Sequence, residues 1–353
     1  MAEEETGEGA PVRRGAATIH DVARVAGVSS MTVSRVINGQ RYVSAATRDK
    51  VTAAVAALHF SPNAAASNLR NAVKIGIVYT NPNSSNLGDF LMGAFRQSTD
   101  SGCQLIIEPS AAHACGVSAV SKLLALGIDG VILPPPLCDA PDVLARLAEA
   151  GVPALGFATA EPKPGSSAVL IDDFAGASLM TEHLIALGHR DIAFVRGDPE
   201  HSPAVRREQG FRDAMANAGL GVREDRVAQG YFTYRSGLDA AHTLLDRPDR
   251  PTAIFASNDD MAAAVAAVAH GLGLAIPADI SVAGFDDTPV ATTVWPELTT
   301  IRQPIADMAS SAVAILTDQV RRGRSGEHAA PRHDRIDFTL VERASTGAPP
   351  VQR

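Results

Sequence analysis

The sequence predicts a small N-terminal all-α module followed by a two-lobed α/β core built on doubly wound parallel sheets, and three observations lead there. Apolar residues between Thr18 and His59 recur at helical spacing behind capping residues. Beyond Val73, short continuous apolar runs alternate with helical stretches, as expected of parallel sheets covered on both faces. Charge divides at the same place: residues 1–17 carry net −2, residues 18–72 net +4, and the remainder −10, within a total of −8. A basic module ahead of an acidic body permits a polyanion partner for the first and discourages one for the second.

Residues 1–17, rich in Glu, Gly and Ala, form no core and are expected to be a disordered arm. "TIHDVARVAGV" opens on a Thr18 cap with Asp21 three residues on, aligns Ile19, Val22, Ala23 and Ala26, and stops at Gly27. "SSMTVSRVING" sets Val33, Val36 and Ile37 inward and Ser30, Met31, Ser34, Arg35 and Asn38 outward. "SAATRDKVTAAVAALHF" starts at a Ser44 cap, turns Val51, Ala54, Val55 and Leu58 inward, and ends before Pro62. Two helices joined tightly at Gly27, Val28 and Ser29 outline a helix-turn-helix, whose second helix lies in a DNA major groove. Ser29, Ser30, Thr32, Ser34 and Asn38 offer hydrogen bonds to phosphates or base edges, Arg35 suits a bidentate contact with guanine, and Met31 a thymine methyl.

The strand candidates of the core are "KIGIVYT", "QLIIEPS", "DGVILPP", "PALGFAT", "AVLID", "DIAFVRG", "AIFASN" and "ISVAGFDD", with helical stretches between them. So many units exceed one such sheet, hence two lobes. At 353 residues with 46% hydrophobic and 20% charged residues, the composition is that of a soluble globular protein, neither disordered nor fibrous. No run of ~18 apolar residues occurs, and the start is acidic without an apolar segment, which predicts a cytoplasmic protein with no membrane partner. Cys103, Cys115 and Cys138 lack metal-ligand spacing and read as small apolar residues of a reduced compartment.

From Thr18 to Arg70 the residues quoted above, with the segment "FSPNAAASNLR", closely resemble the headpiece of the lactose repressor (LacI/GalR) family of bacterial transcription regulators. The match lies in DVA-x-x-AGVS, TVSRV-I-N, VS-x-x-TR and SPN-x-x-A-x-x-L. The resemblance implies base reading by Ser30, Met31 and Arg35, and backbone contacts by Thr18, Ser29, Thr32, Ser34, Asn38, Tyr42, Ser44 and Thr47. It also implies a hinge helix over 63–72, with Asn63, Ala66 and Leu69 at the DNA and Leu69 wedged into the minor groove of a pseudo-palindromic operator. Ala64 to Leu69 alone is far shorter than the ~12–15 residues an isolated helix needs. Pairing of two hinges in a homodimer would complete it, and the absence of C-terminal leucine heptads predicts a dimer only.

"TEHLIALGHRDIAFVRG", "RREQGF", "ASNDDMAAAV" and "ISVAGFDDTPVATTVWPELTTIRQP" are similar to the core that this family shares with periplasmic sugar-binding proteins. The implied division is a helix-turn-helix domain at 18–62, the hinge at 63–72, a periplasmic-binding-protein-like effector and dimerisation core at 73–345, and a disordered tail at 346–353. In such a core the ligand occupies the cleft at the carboxyl ends of the strands. By resemblance Arg207, Asn258 and Asp286 hold the effector. Their donor and acceptor chemistry suits sugar hydroxyls. Tyr79, Thr80 and Asn81 should line the other lobe, and Phe174 and Trp295 are candidates for stacking on a sugar ring. Asp172 and Asp173 either cap the following helix or reach the ligand, and His183 and His189 read as caps or core contacts. No phosphate loop, nucleophile elbow or metal spacing appears, and Asp286–Asp287 and Asp259–Asp260 are adjacent pairs that point apart, so neither an enzyme nor a cofactor or metal is expected. The expected function is a repressor controlled by a small carbohydrate; the alternative is a purine acting as corepressor.

Overall fold

The computed structural model describes residues 18–37, 43–58, 60, 72–81, 84–110, 116–327 and 329–350. The expected arm, Asn38, Tyr42, Cys115, and the hinge with Asn63, Ala66 and Leu69 lie outside the described residues. The chain forms two compact units, divided between Asn71 and Ala72.

In the first unit α1 (Ile19–Ala26) is closed at both ends by its own sequence. Thr18 and Asp21 exchange a capping box, with Thr18 N donating to Asp21 Oδ2 at 3.0 Å, and Gly27 supplies the left-handed turn at φ 66°. That turn delivers the chain to Ser29, whose hydroxyl accepts from Thr32 N at 3.2 Å and starts α2 (Ser30–Ile37). Ser44 does the same for α3 (Ala45–Ala57) through Thr47 N. Val22, Ala23, Ala26, Val33, Val51 and Ala54 meet in a core small enough that one polar substitution would disrupt it.

The second unit opens with alternating β1 (Lys74–Tyr79), α4 (Leu87–Ser101), β2 (Gln104–Pro109), α5 (Gly116–Ala125), β3 (Gly130–Leu133), α6 (Pro141–Ala150), β4 (Ala154–Phe157) and β5 (Ser167–Leu170). It continues through α7 (Asp173–Ala186), β6 (Ile192–Arg196), α8 (Ser202–Asn217), β7 (Val227–Gln229), α9 (Tyr234–Leu245), β8 (Ala253–Ala256), α10 (Asp259–Gly271) and β9 (Ser281–Ala283). The last elements are α11 (Pro289–Thr293), β10 (Thr300–Arg302), α12 (Ile305–Arg324), β11 (His333–Arg335) and β12 (Thr339–Val341). Strands β2-β1-β3-β4-β5-β11 form one parallel sheet, β7-β6-β8-β9 a second, and β10 pairs antiparallel with β12. Each large sheet therefore heads a lobe, and the chain passes between lobes after β5, after β10 and after β11.

One apolar cluster runs from Ile75, Phe90 and Phe157 through Ile171 to Phe194, Phe211 and Phe255, so the crossovers share a core with both sheets. Separate clusters cover the outer faces. Helix α12 returns to the first lobe and crosses α4 so closely that a Cβ on Gly93 would stand 2.0 Å from the Ala306 carbonyl oxygen. No described helix is long and apolar enough to cross a membrane.

The tail departs from expectation at 346–350. Gly347 O accepts from buried His189 Nε2 at 2.9 Å, Gly347 N donates to Ser281 Oγ at 3.0 Å, and Thr346 Oγ1 lies 3.3 Å from His183 Nε2. A segment holding this many buried partners is docked despite its polar, Pro-rich composition.

Candidate functional site

The exits of β1, β3 and β4 in the first lobe and of β8 and β9 in the second line a cavity of about 220 Å³ between the lobes. Tyr79 ends β1, and with Thr80 and Asn81 just beyond it lines the cavity from the first lobe; Arg207, Asn258 and Asp286 line it from the second. Phe174 and Trp295 do not line it. Phe174 stacks under the Arg206 guanidinium at 5.0 Å, and Trp295 is 80% exposed on the second lobe. The aromatic residues at the cavity are instead Phe90, Phe157 and Phe232, with Tyr79 and His201. Phe90 and Phe157 meet edge to face at 4.7 Å, and His201 leans on Phe232 at 5.5 Å.

Arg207 sits on α8, 5% exposed, with its guanidinium centre 3.7 Å from the Phe285 ring. Its Nε donates to Asp173 Oδ1 at 2.8 Å and one terminal nitrogen to Ser257 O at 2.5 Å, and that same nitrogen reaches Asp286 Oδ1 at 3.5 Å. Asp172 caps α7 through Ala175 N at 3.0 Å, so the two neighbouring carboxylates divide the structural roles that the sequence leaves open. Asn258 caps α10, accepting from Met261 N at 3.0 Å, while its amide nitrogen donates to Phe232 O at 3.2 Å.

Asp286 gathers donors from three directions. Gln303, on the crossover after β10, donates to Oδ1 at 2.6 Å; Asn86, from the opposite lobe, donates to Oδ2 at 2.9 Å; Arg207 stands beside them. Burial nevertheless pushes its pKa up to about 6, against the pull of Arg207, Gln303 and Asn86. Asp259, held by Thr300 Oγ1 at 2.6 Å and Thr288 N at 2.7 Å, is pushed up to about 8 by burial and by the charge of Asp286. Burial also raises Asp173, with Arg207 opposing. Burial thus raises all three carboxyls above the ordinary carboxylate range, with Arg207 opposing it at Asp173 and Asp286. Asp287 turns away from the cavity to Arg302 and Arg343, each at 2.6 Å.

Backbone strain gathers here as well. Ala158, Phe232 and Asp286 line the cavity at φ 51°, 57° and 117°, and Asp287 follows at 59°. Side chains in that region cost about 1–3 kcal/mol each and persist where surrounding contacts enforce them. Two further cross-lobe contacts flank the cavity. Ser85 Oγ donates to Asp260 at 2.7 Å, and Ser202 on α8 meets Ala160 N at 3.1 Å and Asp139 at 3.2 Å.

Sequence reasoning misses Asn86, Gln303, Phe232, His201 and the two buried phenylalanines. For Asn86 the polar run "NPNSSN" after β1 is a signal; for Phe232 the positive φ leaves no trace in a Tyr-Phe-Thr-Tyr context.

In the headpiece Met31 is 64% exposed and Arg35 is exposed, both projecting from α2. Thr18, Ser29 and Ser44 carry helix caps, Thr32 and Thr47 bond back to their caps, and Ser30 bonds His20.

A helix-turn-helix unit in one chain with a two-lobed, ligand-cavity α/β core defines a class: DNA-binding transcriptional repressors with a periplasmic-binding-protein-like core. The comparisons agree. Residues 18–63 match the model of bacterial regulatory proteins of the lacI family, and residues 181–346 match that of the periplasmic binding protein-like domain. The HTH-type transcriptional repressor PurR of Pectobacterium carotovorum subsp. carotovorum (strain PC1) is 34% identical over 341 residues, 95% of this chain and 98% of the relative. A lac repressor dimer bound to operator and the anti-inducer ONPF aligns at TM-score 0.77 and 31% identity, over 94% of this chain and 99% of that one. The transcriptional regulator CelR in complex with cellobiose aligns at TM-score 0.71 and 32% identity, over 93% and 99%. The chain belongs to the lacI family of bacterial regulatory proteins.

Proposed function

We propose that this repressor binds a pseudo-palindromic operator as a homodimer and that a single-ring carbohydrate in the cavity sets its operator affinity. The observation that carries the reading is the convergence on one cavity of a carboxylate, a guanidinium and an amide, Asp286, Arg207 and Asn258. Vicinal hydroxyls each donate and accept, and this trio supplies both roles. A volume of about 220 Å³ is below the roughly 300–1,000 Å³ of drug-sized sites, which favours one ring over two. The CelR complex contains cellobiose, a two-ring sugar, which favours the carbohydrate class here while the smaller cavity favours a single ring.

A purine base is the second reading, and one observation favours it. Phe90, Phe157, Phe232, Tyr79 and His201 supply the aromatic lining that a count of Tyr and Trp overlooks. Calorimetry of the full-length protein against monosaccharides and purine bases separates the two: micromolar heats from a sugar support the proposal, and heats from bases alone replace it.

In the headpiece, Ser30, Met31 and Arg35 read bases, while Thr18, Ser29, Thr32, Ser34, Asn38, Tyr42, Ser44 and Thr47 position the backbone. The hinge over 63–72, with Asn63, Ala66 and Leu69, couples the units by folding on operator DNA. Arg35→Ala should cost about 1–3 kcal/mol on the cognate site and less on random DNA. Equal losses on both, measured by fluorescence anisotropy, would reduce Arg35 to a phosphate contact.

A further inference from the structure

We propose that His20 fixes the hydrogen-bonding polarity of Ser30 and thereby decides which base edge the recognition helix selects at that position. This rests on the DNA-binding reading of the headpiece. His20 lies on α1, exposed, and its Nδ1 stands 3.0 Å from the hydroxyl oxygen of Ser30, ten residues on and the first residue of α2. The bond joins the two helices of the motif at the end of α2 that enters the groove.

A serine hydroxyl has one proton and two lone pairs, so alone it accepts or donates equally well and discriminates poorly among bases. A partner that claims the proton removes the ambiguity. In a neutral imidazole one nitrogen carries hydrogen and the other accepts. With the proton on Nε2, Nδ1 accepts the Ser30 hydroxyl proton. Ser30 then turns only lone pairs to the groove and selects a donor, the N4 amine of cytosine or the N6 amine of adenine. Guanine and thymine present acceptors there, and pairing them with those lone pairs leaves both unsatisfied. His20 is thus a positioning residue that acts through Ser30. Met31 and Arg35 project from α2 at other positions, and their base preferences are independent of it.

Selection of binding sites from random double-stranded DNA by the full-length protein tests this, since it requires no operator to be chosen in advance. The wild type should enrich one base pair over its three alternatives, by roughly fivefold or more, at one position of each half-site. Ser30→Ala and His20→Phe should each erase the preference at that same pair, and the double variant should add nothing. His20→Asn, whose amide occupies the place of Nδ1, should restore a preference there. The inference fails if His20→Phe selects the same sites as the wild type, or if it alters a different pair from Ser30→Ala. A wild-type protein that enriches no sequence would instead remove the DNA-binding reading itself.

Discussion

Asp286 adopts φ 117° so that its carboxyl can face Gln303, Asn86 and Arg207 together. The burial of this carboxyl raises its pKa to about 6. Protonation removes acceptor capacity that a hydroxylated ligand uses. Effector binding should therefore strengthen as pH rises through about 6 and level off above it, and Asp286→Asn should be weak and flat across that range. Calorimetry between pH 5 and pH 8 checks this; an unchanged slope in the variant would assign the titration elsewhere. At this scale the sequence is legible where chemistry is concentrated at strand ends, as with "SND" and "FDD". It is illegible where a residue works through position alone. Trp295 is an aromatic in a plausible motif, yet it stands 80% exposed, whereas Phe232 reaches the cavity because Gly197 leaves its ring room. A Cβ on Gly197 would lie 2.1 Å from that ring.

Strands β1 to β6, β8 and β9 and the helices between them follow from apolar runs and capping residues. Three-residue β9 is legible because it sits in the longer apolar run "ISVAGF", whereas β7, β10, β11 and β12, equally short, lack such a run and are defined by their pairing. Helix α12 has legible spacing in Ile305, Met308, Ala312, Val313 and Leu316, but its return to the first lobe depends on a crossover that no local pattern encodes. The docked tail is a similar case. Ser345 Oγ accepts from the buried Thr299 N at 2.8 Å, and Ser345 O accepts from Val282 N at 2.9 Å. A chain ending at Ala344 leaves both amides without partners. At about 1–3 kcal/mol each, it should lose about 2–6 kcal/mol in urea unfolding; an unshifted midpoint would show that the tail merely rests on the surface. For the hinge, hydrogen exchange over residues 63–70 should be fast in the free protein and slow on operator DNA. Equal protection in both states would exclude folding on DNA.

The two lobes of the core are joined by three crossovers and by bonds across the cleft, Asn86 to Asp286, Ser85 to Asp260 and Ser202 to the Ala160 loop. A ligand that takes over Asp286 competes with Asn86 for the same oxygen, so binding changes how one lobe holds the other. This supplies the differential contact without which a ligand cannot shift a conformational equilibrium. On the proposed function, occupancy of this cavity sets operator affinity. Its most direct test is operator binding by fluorescence anisotropy, for wild type and Asp286→Ala, with and without the ring-sized sugar or base that calorimetry identifies. Operator Kd should change about tenfold or more for the wild type and not at all for a variant that binds bare operator normally. A variant that responds at the same effector concentration and to the same extent as the wild type would contradict it.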